Sequence, residues 1–475
     1  MDVSAPLSAH LRKRLAPSLL PDRPVGAESL KVEPQPDSYE YDEAAEKVLL
    51  RKQDLRIIPL SATIYLLAYL DRSNIGNAKI LNSETHNDLL SETHMTAYQY
   101  TIALMIFLVA YALFEVPSNY LLKRLSPSRW IAFLMLVCGS LSMGLGGTHS
   151  YAEVTVVRFL LGGFEAGLFP GLVYFLTFWY RAEERSLRVA FILASATLAG
   201  AFGGAIAYGV GHMNGDGALS GWRWLFLLGK YQNFLRDTAH WLTENEKKLA
   251  KYRLKAQGSD TEQLTWRDVR ETLTEWRLYA HYLVYFGVSL AFSSLSLFTP
   301  SIVAGLGYQS LKANLMTVPP YAVAYVVTLI ASWSADRYNA RGIHAGIACV
   351  IGAAGFMASA LLPATAYAHR YGCLILASAG VFASIPPLLC WITSNIFTAS
   401  TAGLVIALNI SFGTPGQIVG VWIYKANEVE KGFPTGHWTN CALLLFAAAG
   451  CFMLTGYYRR RNGAVTRRGE RLYRY

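Results

Sequence analysis

Apolar stretches of about 20 residues recur along most of the chain, and short polar segments separate them. A helix of that length crosses the ~30 Å hydrocarbon core of a bilayer, because each residue adds about 1.5 Å. Eleven such stretches lie near residues 57–78, 98–121, 130–148, 154–178, 189–211, 278–300, 313–333, 343–363, 371–392, 402–424 and 438–458. The pattern predicts an all-α polytopic membrane protein.

The polar segments between the stretches alternate in charge. Lysine and arginine are frequent just before residue 57, at 123–129, at 181–188, at 229–277 and after Tyr458. The intervening segments are poor in both residue types. Because cytoplasmic loops retain positive charge, the alternation predicts that both chain termini are cytoplasmic.

This orientation requires two crossings between the basic segments at 181–188 and 229–277, but only the stretch at 189–211 is long enough. What remains is the segment from Trp222 to Gly229, about 8 residues or ~12 Å of helix. The residues that follow, 230–237, are too polar to continue it. We therefore expect a twelve-span design of two six-helix bundles, in which the sixth span lacks about 20 residues and about eleven full spans remain.

These features divide the chain into five segments. We expect a disordered cytosolic tail over residues 1–45, a first helix bundle over 46–229, a cytosolic linker over 230–277, a second bundle over 278–458 and a basic cytosolic tail over 459–475. The first tail is polar, contains proline and lacks the apolar core of a signal peptide. The linker contains helix-capping patterns and lies at the membrane surface, where it is either a plain connector or a regulatory lipid-binding patch.

Composition agrees with a membrane protein, since 53% of the residues are apolar or aromatic and 16% are charged, against roughly a quarter in soluble domains. The net charge of +10 does not indicate nucleic-acid binding, because the basic residues lie beside the spans. The six cysteines all lie in apolar stretches, and their spacing indicates neither a disulfide framework nor a zinc site. The sequence has no nucleophile–base set and no cofactor loop, so we expect neither an enzyme nor a bound cofactor or metal.

Several charged residues lie inside predicted spans, where each costs a few kcal/mol and needs a reason. Asp71 and Arg72 follow one another about two thirds of the way along the first span. They are either a functional pair facing the protein interior or an interfacial pair at the end of a shorter span. Arg158 and Glu165 lie seven positions apart in the fourth span, which places them on one helix face among glycines that permit close approach.

Two further charged sites lie near span ends. Glu115 precedes Pro117 near the cytoplasmic end of the second span, where it has either a direct part in transport or an ion pair with a loop arginine. Asp336 and Arg337 stand with Arg341 in the short turn after the eighth span. Their pairing suggests a latch between adjacent helices, so we assign Glu115, Asp336 and Arg337 to gating.

The eleventh span is interrupted by polar and helix-breaking residues, as the pathway-lining helices of transporters are. The interrupting residues are Asn409, Ser411, Gly413, Pro415, Gly416 and Gln417. Of these we assign Asn409 to the substrate site.

Four motifs stand out when the chain is taken as a whole. They are Asp71-Arg-Ser-Asn-Ile-Gly-Asn-Ala78, Phe114-Glu-Val-Pro-Ser-Asn119, the Arg158/Glu165 span and Gly221-Trp-Arg-Trp-Leu-Phe226. Together they resemble the major facilitator superfamily, and more narrowly the fungal branch of its anion:cation symporter family, the permeases of allantoate, nicotinate, pantothenate and biotin. The resemblance covers residues 45–460.

The resemblance implies a role for each matching residue. The arginine that matches Arg72 engages an organic carboxylate, and the acid that matches Asp71 takes part in proton coupling. The acid that matches Glu165 is a second protonation site, with Arg158 as its partner or gate. We accordingly place Arg72, Asn74 and Arg158 in the substrate site.

The resemblance implies secondary active transport, with proton-coupled symport of a small organic anion through a multi-pass protein. We expect a monomer in the plasma membrane, with the lipid bilayer, the anion and protons as its partners and no nucleic acid. The truncated sixth span keeps an alternative open, in which the chain is a non-transporting relative or a membrane receptor.

Overall fold

The computed structural model describes residues 43–228, 245–246, 249, 266–308, 310–396 and 399–465, and regular structure in these ranges is helical. The longer helices coincide with the apolar stretches, as expected when a bilayer requires every backbone group to be bonded within its own segment. The helices are α1 (Glu43–Ile80), α2 (Leu89–Glu92), α3 (Ala97–Arg124), α4 (Pro127–Gly146), α5 (Tyr151–Glu165), α6 (Leu168–Thr177), α7 (Ala182–Gly211), α8 (Gly221–Leu227), α9 (Trp266–Thr274), α10 (Trp276–Gly305), α11 (Ser310–Leu315), α12 (Val318–Arg337), α13 (Arg341–Leu361), α14 (Tyr367–Ser394), α15 (Ala399–Trp422) and α16 (Pro434–Val465).

Ten helical segments of the described residues are long and apolar enough to cross a membrane. They match ten of the eleven predicted spans, from Ala97–Leu122 to Pro434–Gly463. The remaining prediction, 57–78, lies within α1, which is long enough at 38 residues. It differs from the ten because Asp71, Arg72 and the polar residues after them interrupt its apolar run. The prediction of an all-α polytopic membrane protein is confirmed.

The predicted fourth span is divided into α5 and α6 by a short break at Ala166 and Gly167. Gly167 lies against Ser118 of α3, and a larger side chain there would collide with it. Of the predicted sixth span, α8 covers Gly221–Leu227, seven residues. The rest of that truncation, most of the 230–277 linker, the 1–45 tail except its last residues and the end of the C-terminal tail lie outside the described residues.

Residues Lys47–Tyr475 form one compact unit. Within it, α7 packs against α12 and α14, and α3 packs against α15, so the first and second halves of the chain meet along these helices. Small residues make the contact close, as expected for helices that gain no hydrophobic driving force in lipid. Gly200 lies against the Tyr321 ring, and Gly204 against Thr317 and the backbone of Asn314. The glycines of α7 thus form a close helix-packing face toward the second half of the chain.

Candidate functional site

Two buried arginines face the same aromatic ring. The guanidinium carbons of Arg72 on α1 and Arg158 on α5 each lie 5.3 Å from the centre of the Phe107 ring on α3. The two positive charges are therefore no farther apart than twice that distance. Gly162 allows this approach, because it lies directly against the Phe107 backbone, where a side chain would collide.

The hydrogen bonding of the two guanidinium groups differs. Arg158 is 1% exposed, and its Nε and Nη1 have no hydrogen-bond partner among the described residues. Arg72 is 9% exposed, and its Nη2 donates to Oε1 of Gln417 on α15 at 2.5 Å. Its guanidinium carbon also lies 5.5 Å from the centre of the Tyr111 ring. Arg158 thus carries unused donors in the protein interior, where an unpaired polar group costs about 1–3 kcal/mol and a charged one more.

Two buried carboxyl groups complete this cluster. Asp71 accepts a hydrogen bond from Ser142 Oγ on α4 at 3.1 Å. Glu165 is 7% exposed, and the charges of Asp71, Arg72 and Arg158 all act on its carboxyl group. Asp71, Arg72, Arg158 and Glu165 therefore form one charge cluster.

A cavity of about 40 Å³ lies beside Arg72, between the two halves of the chain. Its polar lining includes Tyr65, Arg72, Tyr111, Tyr285 and Gln417, and α6, α7, α10 and α14 add apolar side chains. A cavity of this volume has room for a few water molecules but not for an organic anion, because the two halves of the chain lie close together around Arg72.

Glu115 lies at a contact between the two halves. Its side chain is fully buried, and its Oε2 accepts a hydrogen bond from Ser411 Oγ on α15 at 3.1 Å. Its Oε1 has no partner within the described part of the chain. The described partner of Glu115 is thus a serine on α15 and not a loop arginine. The gating role stays a prediction.

The two predicted asparagines are buried but lie outside the described cavity lining. Asn74 faces α7, since a Cβ built on Gly203 would lie 3.5 Å from its Oδ1. Its amide atoms have no hydrogen-bond partner among the residues described. Asn409 lies on α15, the helix that carries Gln417. Their assignment to the substrate site stays a prediction.

The turn between α12 and α13 holds the predicted latch residues far from the charge cluster in sequence. Asp336 pairs with Arg341 at 2.7 Å, so the bond joins the end of one helix to the start of the next. Arg341 Nη1 also donates to Ser394 Oγ on α14 at 2.5 Å. Arg337, the adjacent base, is exposed. The structure thus contains a bond between adjacent helices, and a gating role for Asp336 and Arg337 remains untested.

Gln417 and Phe107 are among the residues of the site that the sequence does not assign to it. Gln417 is a polar interruption of the eleventh span, so a signal existed, but its spacing does not reveal that it meets Arg72. Phe107 gives no signal, because one phenylalanine in an apolar span looks like any other. Both become visible only when the helices are packed.

Most of the helical region matches a known family. The profile of the Major Facilitator Superfamily matches residues 62–421. The chain belongs to this superfamily. Major facilitator proteins are membrane transporters, so the charge cluster and the cavity lie within a transporter.

Individual relatives of this major facilitator protein agree with the assignment. The MFS transporter prlL of Fungal sp. (strain NRRL 50135) is 63% identical over 91% of each chain. A putative tartrate transporter of Agrobacterium vitis is 30% identical, over 85% of this chain and 90% of that protein. The high-affinity nicotinic acid transporter of Saccharomyces cerevisiae is 28% identical, over 81% of this chain and 73% of that protein.

The fold is also that of a solved major facilitator structure. The crystal structure of the D-xylose-proton symporter superposes with a TM-score of 0.61 at 14% identity, over 84% of this chain and 97% of that one. At this identity the likeness concerns the fold alone.

The alignment with the prlL protein runs over 451 positions, which is more than the number of this chain's residues that it covers, 91% of 475. The relative therefore has residues without a counterpart here, roughly 20 of them, which is about the length of one span.

Proposed function

We propose that this protein is a proton-coupled symporter of a small organic anion, and that it belongs to the anion:cation symporter family within the superfamily. The proposed substrate carries a carboxylate that binds between Arg72 and Arg158. Asp71 and Glu165 take up the coupled proton.

The observation that carries the proposal is the state of Arg158. Its Nε and Nη1 are buried without a hydrogen-bond partner in the described ranges, beside a second guanidinium on the same ring. Buried polar groups are nearly always bonded, so unused donors on a buried cation point to a group that arrives from outside. A carboxylate fits, because its two oxygens match the planar fork of a guanidinium.

Charge balance supports proton coupling. Asp71, Arg72, Arg158 and Glu165 sum to zero when all four are ionised. An arriving carboxylate would leave one uncompensated negative charge in the low-dielectric interior, where unbalanced charge is costly. Protonation of one of the two acids restores neutrality. We infer that one proton enters with each singly charged anion.

Two relatives carry carboxylates according to their names, nicotinic acid and tartrate. Neither substrate transfers directly to this chain, but both need the same chemistry from the site. We further propose that the protein resides in the plasma membrane with both termini in the cytoplasm, on the strength of the basic loops. A fluorescent reporter fused to the C-terminus, together with its accessibility to protease in sealed cells, tests this orientation.

Uptake into proteoliposomes tests the function. The purified protein is reconstituted and given radiolabelled nicotinate or tartrate, with and without an inwardly directed proton gradient. We expect accumulation that rises with the gradient and collapses when a protonophore is added. Absence of gradient-stimulated uptake of any carboxylate by correctly inserted protein overturns the proposal.

Variants of the two acids separate binding from coupling. Glu165→Gln mimics the protonated acid, so exchange of labelled for unlabelled substrate should persist while accumulation stops responding to the proton gradient. Asp71→Asn should impair both, because it also removes the charge beside Arg72. Glu153→Gln is the matched control, since Glu153 is an exposed acid on the same helix. Full proton-driven accumulation by Glu165→Gln assigns coupling to another group.

A second candidate is a non-transporting relative. The surplus of aligned positions in the prlL protein favours it, because a bundle that lacks most of one span packs incompletely. The same liposomes decide between the two. Folded, correctly inserted protein that binds a carboxylate but exchanges none across the membrane supports a receptor or inactive relative.

A further inference from the structure

The hydrogen bond between Arg72 and Gln417 joins two helices from opposite halves of the chain. The two residues lie 345 positions apart in sequence, and both side chains are buried. Both also line the cavity. The bond therefore lies inside the proposed substrate site, and it ties α1 to α15.

The acceptor in this bond is a neutral amide oxygen. This oxygen accepts a hydrogen bond from Nη2 of Arg72, at a position where one oxygen of a carboxylate would otherwise bind. A carboxylate binds a guanidinium more strongly than an amide does, because the bond is charge-assisted and can be made twice. The amide satisfies the buried cation without neutralising it, so a negatively charged ligand can still displace it.

We propose that the amide oxygen of Gln417 takes the place of the substrate carboxylate at Arg72 when no anion is bound. Gln417 then competes with the anion for the Arg72 guanidinium. This inference rests on the proposed function, because it assumes that Arg72 binds the anion. An arriving carboxylate must break the Arg72–Gln417 bond, which releases α15 from α1. Gln417 thereby sets both the affinity for the anion and the specificity for negatively charged ligands over neutral ones.

Two substitutions move this competition in opposite directions. Gln417→Met keeps the length of the side chain but removes the competing oxygen, which leaves Arg72 uncapped. Gln417→Glu introduces a permanent carboxylate beside Arg72, which neutralises the cation and occupies its fork. Gln53→Met is the matched control, since Gln53 is also a buried glutamine but lies near the start of α1, away from the described cavity lining.

The experiment measures equilibrium binding of nicotinate, tartrate and uncharged nicotinamide to the purified full chain in detergent. For Gln417→Met we expect a Kd for carboxylates about tenfold lower than that of the wild type, equal to about 1.4 kcal/mol. For Gln417→Glu we expect a Kd at least about tenfold higher. Binding of nicotinamide should change in neither variant, and Gln53→Met should match the wild type.

Each other outcome has a defined meaning. A higher Kd in Gln417→Met overturns the inference, because it makes Gln417 a direct ligand of the substrate. Equal Kd values in all proteins also overturn it, while the proposed function stands. If Gln417→Met binds carboxylates and the wild type does not, the result supports the inference. If neither the wild type nor Gln417→Met binds any carboxylate, the proposed function fails and the inference fails with it.

Discussion

Gly76 on α1 lies directly against the backbone of α10, and Gly76→Ala tests how tightly that contact is closed. A Cβ built on Gly76 would lie 2.6 Å from the backbone oxygen of Leu297 and 3.4 Å from its carbonyl carbon. Real Cβ atoms essentially never approach another heavy atom within 3.0 Å. The obstacle is backbone, so no side-chain rotation can relieve the collision and one helix must move.

The expected change in the free energy of unfolding of Gly76→Ala combines two opposing effects. Alanine in place of glycine inside a helix contributes up to about 1 kcal/mol through its higher helix propensity. Overpacking against rigid backbone destabilises by about 1–3 kcal/mol. Gly209 on α7 supplies the control, because it has no other heavy atom within 4 Å of a built Cβ. The propensity gain is common to both substitutions, so their difference isolates the collision at about 1–3 kcal/mol.

Thermal unfolding in detergent, followed by size-exclusion chromatography of the heated samples, measures this difference. We expect Gly76→Ala to unfold a few degrees below Gly209→Ala, since 1 kcal/mol shifts the midpoint by roughly 2 °C in a large domain. Gly209→Ala should equal or slightly exceed the wild type. If the two variants unfold together, the helices do not meet at Gly76 as described, and the closed contact between the two halves is wrong.

Three further predictions use the same protein preparations. Arg72→Lys keeps the charge but loses the planar fork, so the KM for carboxylate uptake should rise about tenfold or more. Hydrogen bonds from the Arg277 guanidinium hold the pKa of Glu275 below its ordinary value of 4.5. The bonded carboxylate of Glu275 stabilises the fold at a pH above its ordinary pKa, and this stabilisation is lost as the pH falls below that value. Glu275→Gln should therefore flatten the acid side of a plot of unfolding temperature against pH. Arg341→Ala removes the bond to Asp336. Such a partly exposed pair contributes about 1 kcal/mol or less, so the unfolding temperature should change little, whereas the maximal uptake rate should fall clearly.

The spans are predictable from the sequence because the bilayer imposes a length and a polarity on them. Ten of the eleven predicted stretches coincide with apolar helices of the described residues, and the eleventh lies within α1. The break at Gly167 is not predictable in this way. It depends on Ser118 of a neighbouring helix, and apolar periodicity carries no information about which neighbour a glycine meets.

The charge cluster is predictable for a related reason. A charge inside a span is costly, so Asp71, Arg72, Arg158 and Glu165 stand out even in a single sequence. Their partners do not stand out. The contact of Arg72 with Gln417 and the approach of Arg72 to Glu165 depend on how separate helices pack, which spacing along one helix cannot reveal.

The closed cavity and the close helix contacts together constrain how the site can open. A volume of about 40 Å³ admits no organic anion, so the two halves must separate for the substrate to enter. Near the end of α1 at Ile80, Gly76 meets the backbone of Leu297, and rigid backbone holds the halves together there. By contrast, single side-chain hydrogen bonds of Arg72 and Glu115 join α1 and α3 to α15. Each involves a charged or ionisable group, so an anion or a proton can break these bonds, whereas neither acts on a backbone contact. We therefore expect substrate and proton first to release α15 from α1 and α3. The contact of Gly76 with Leu297 near Ile80 then acts as the pivot.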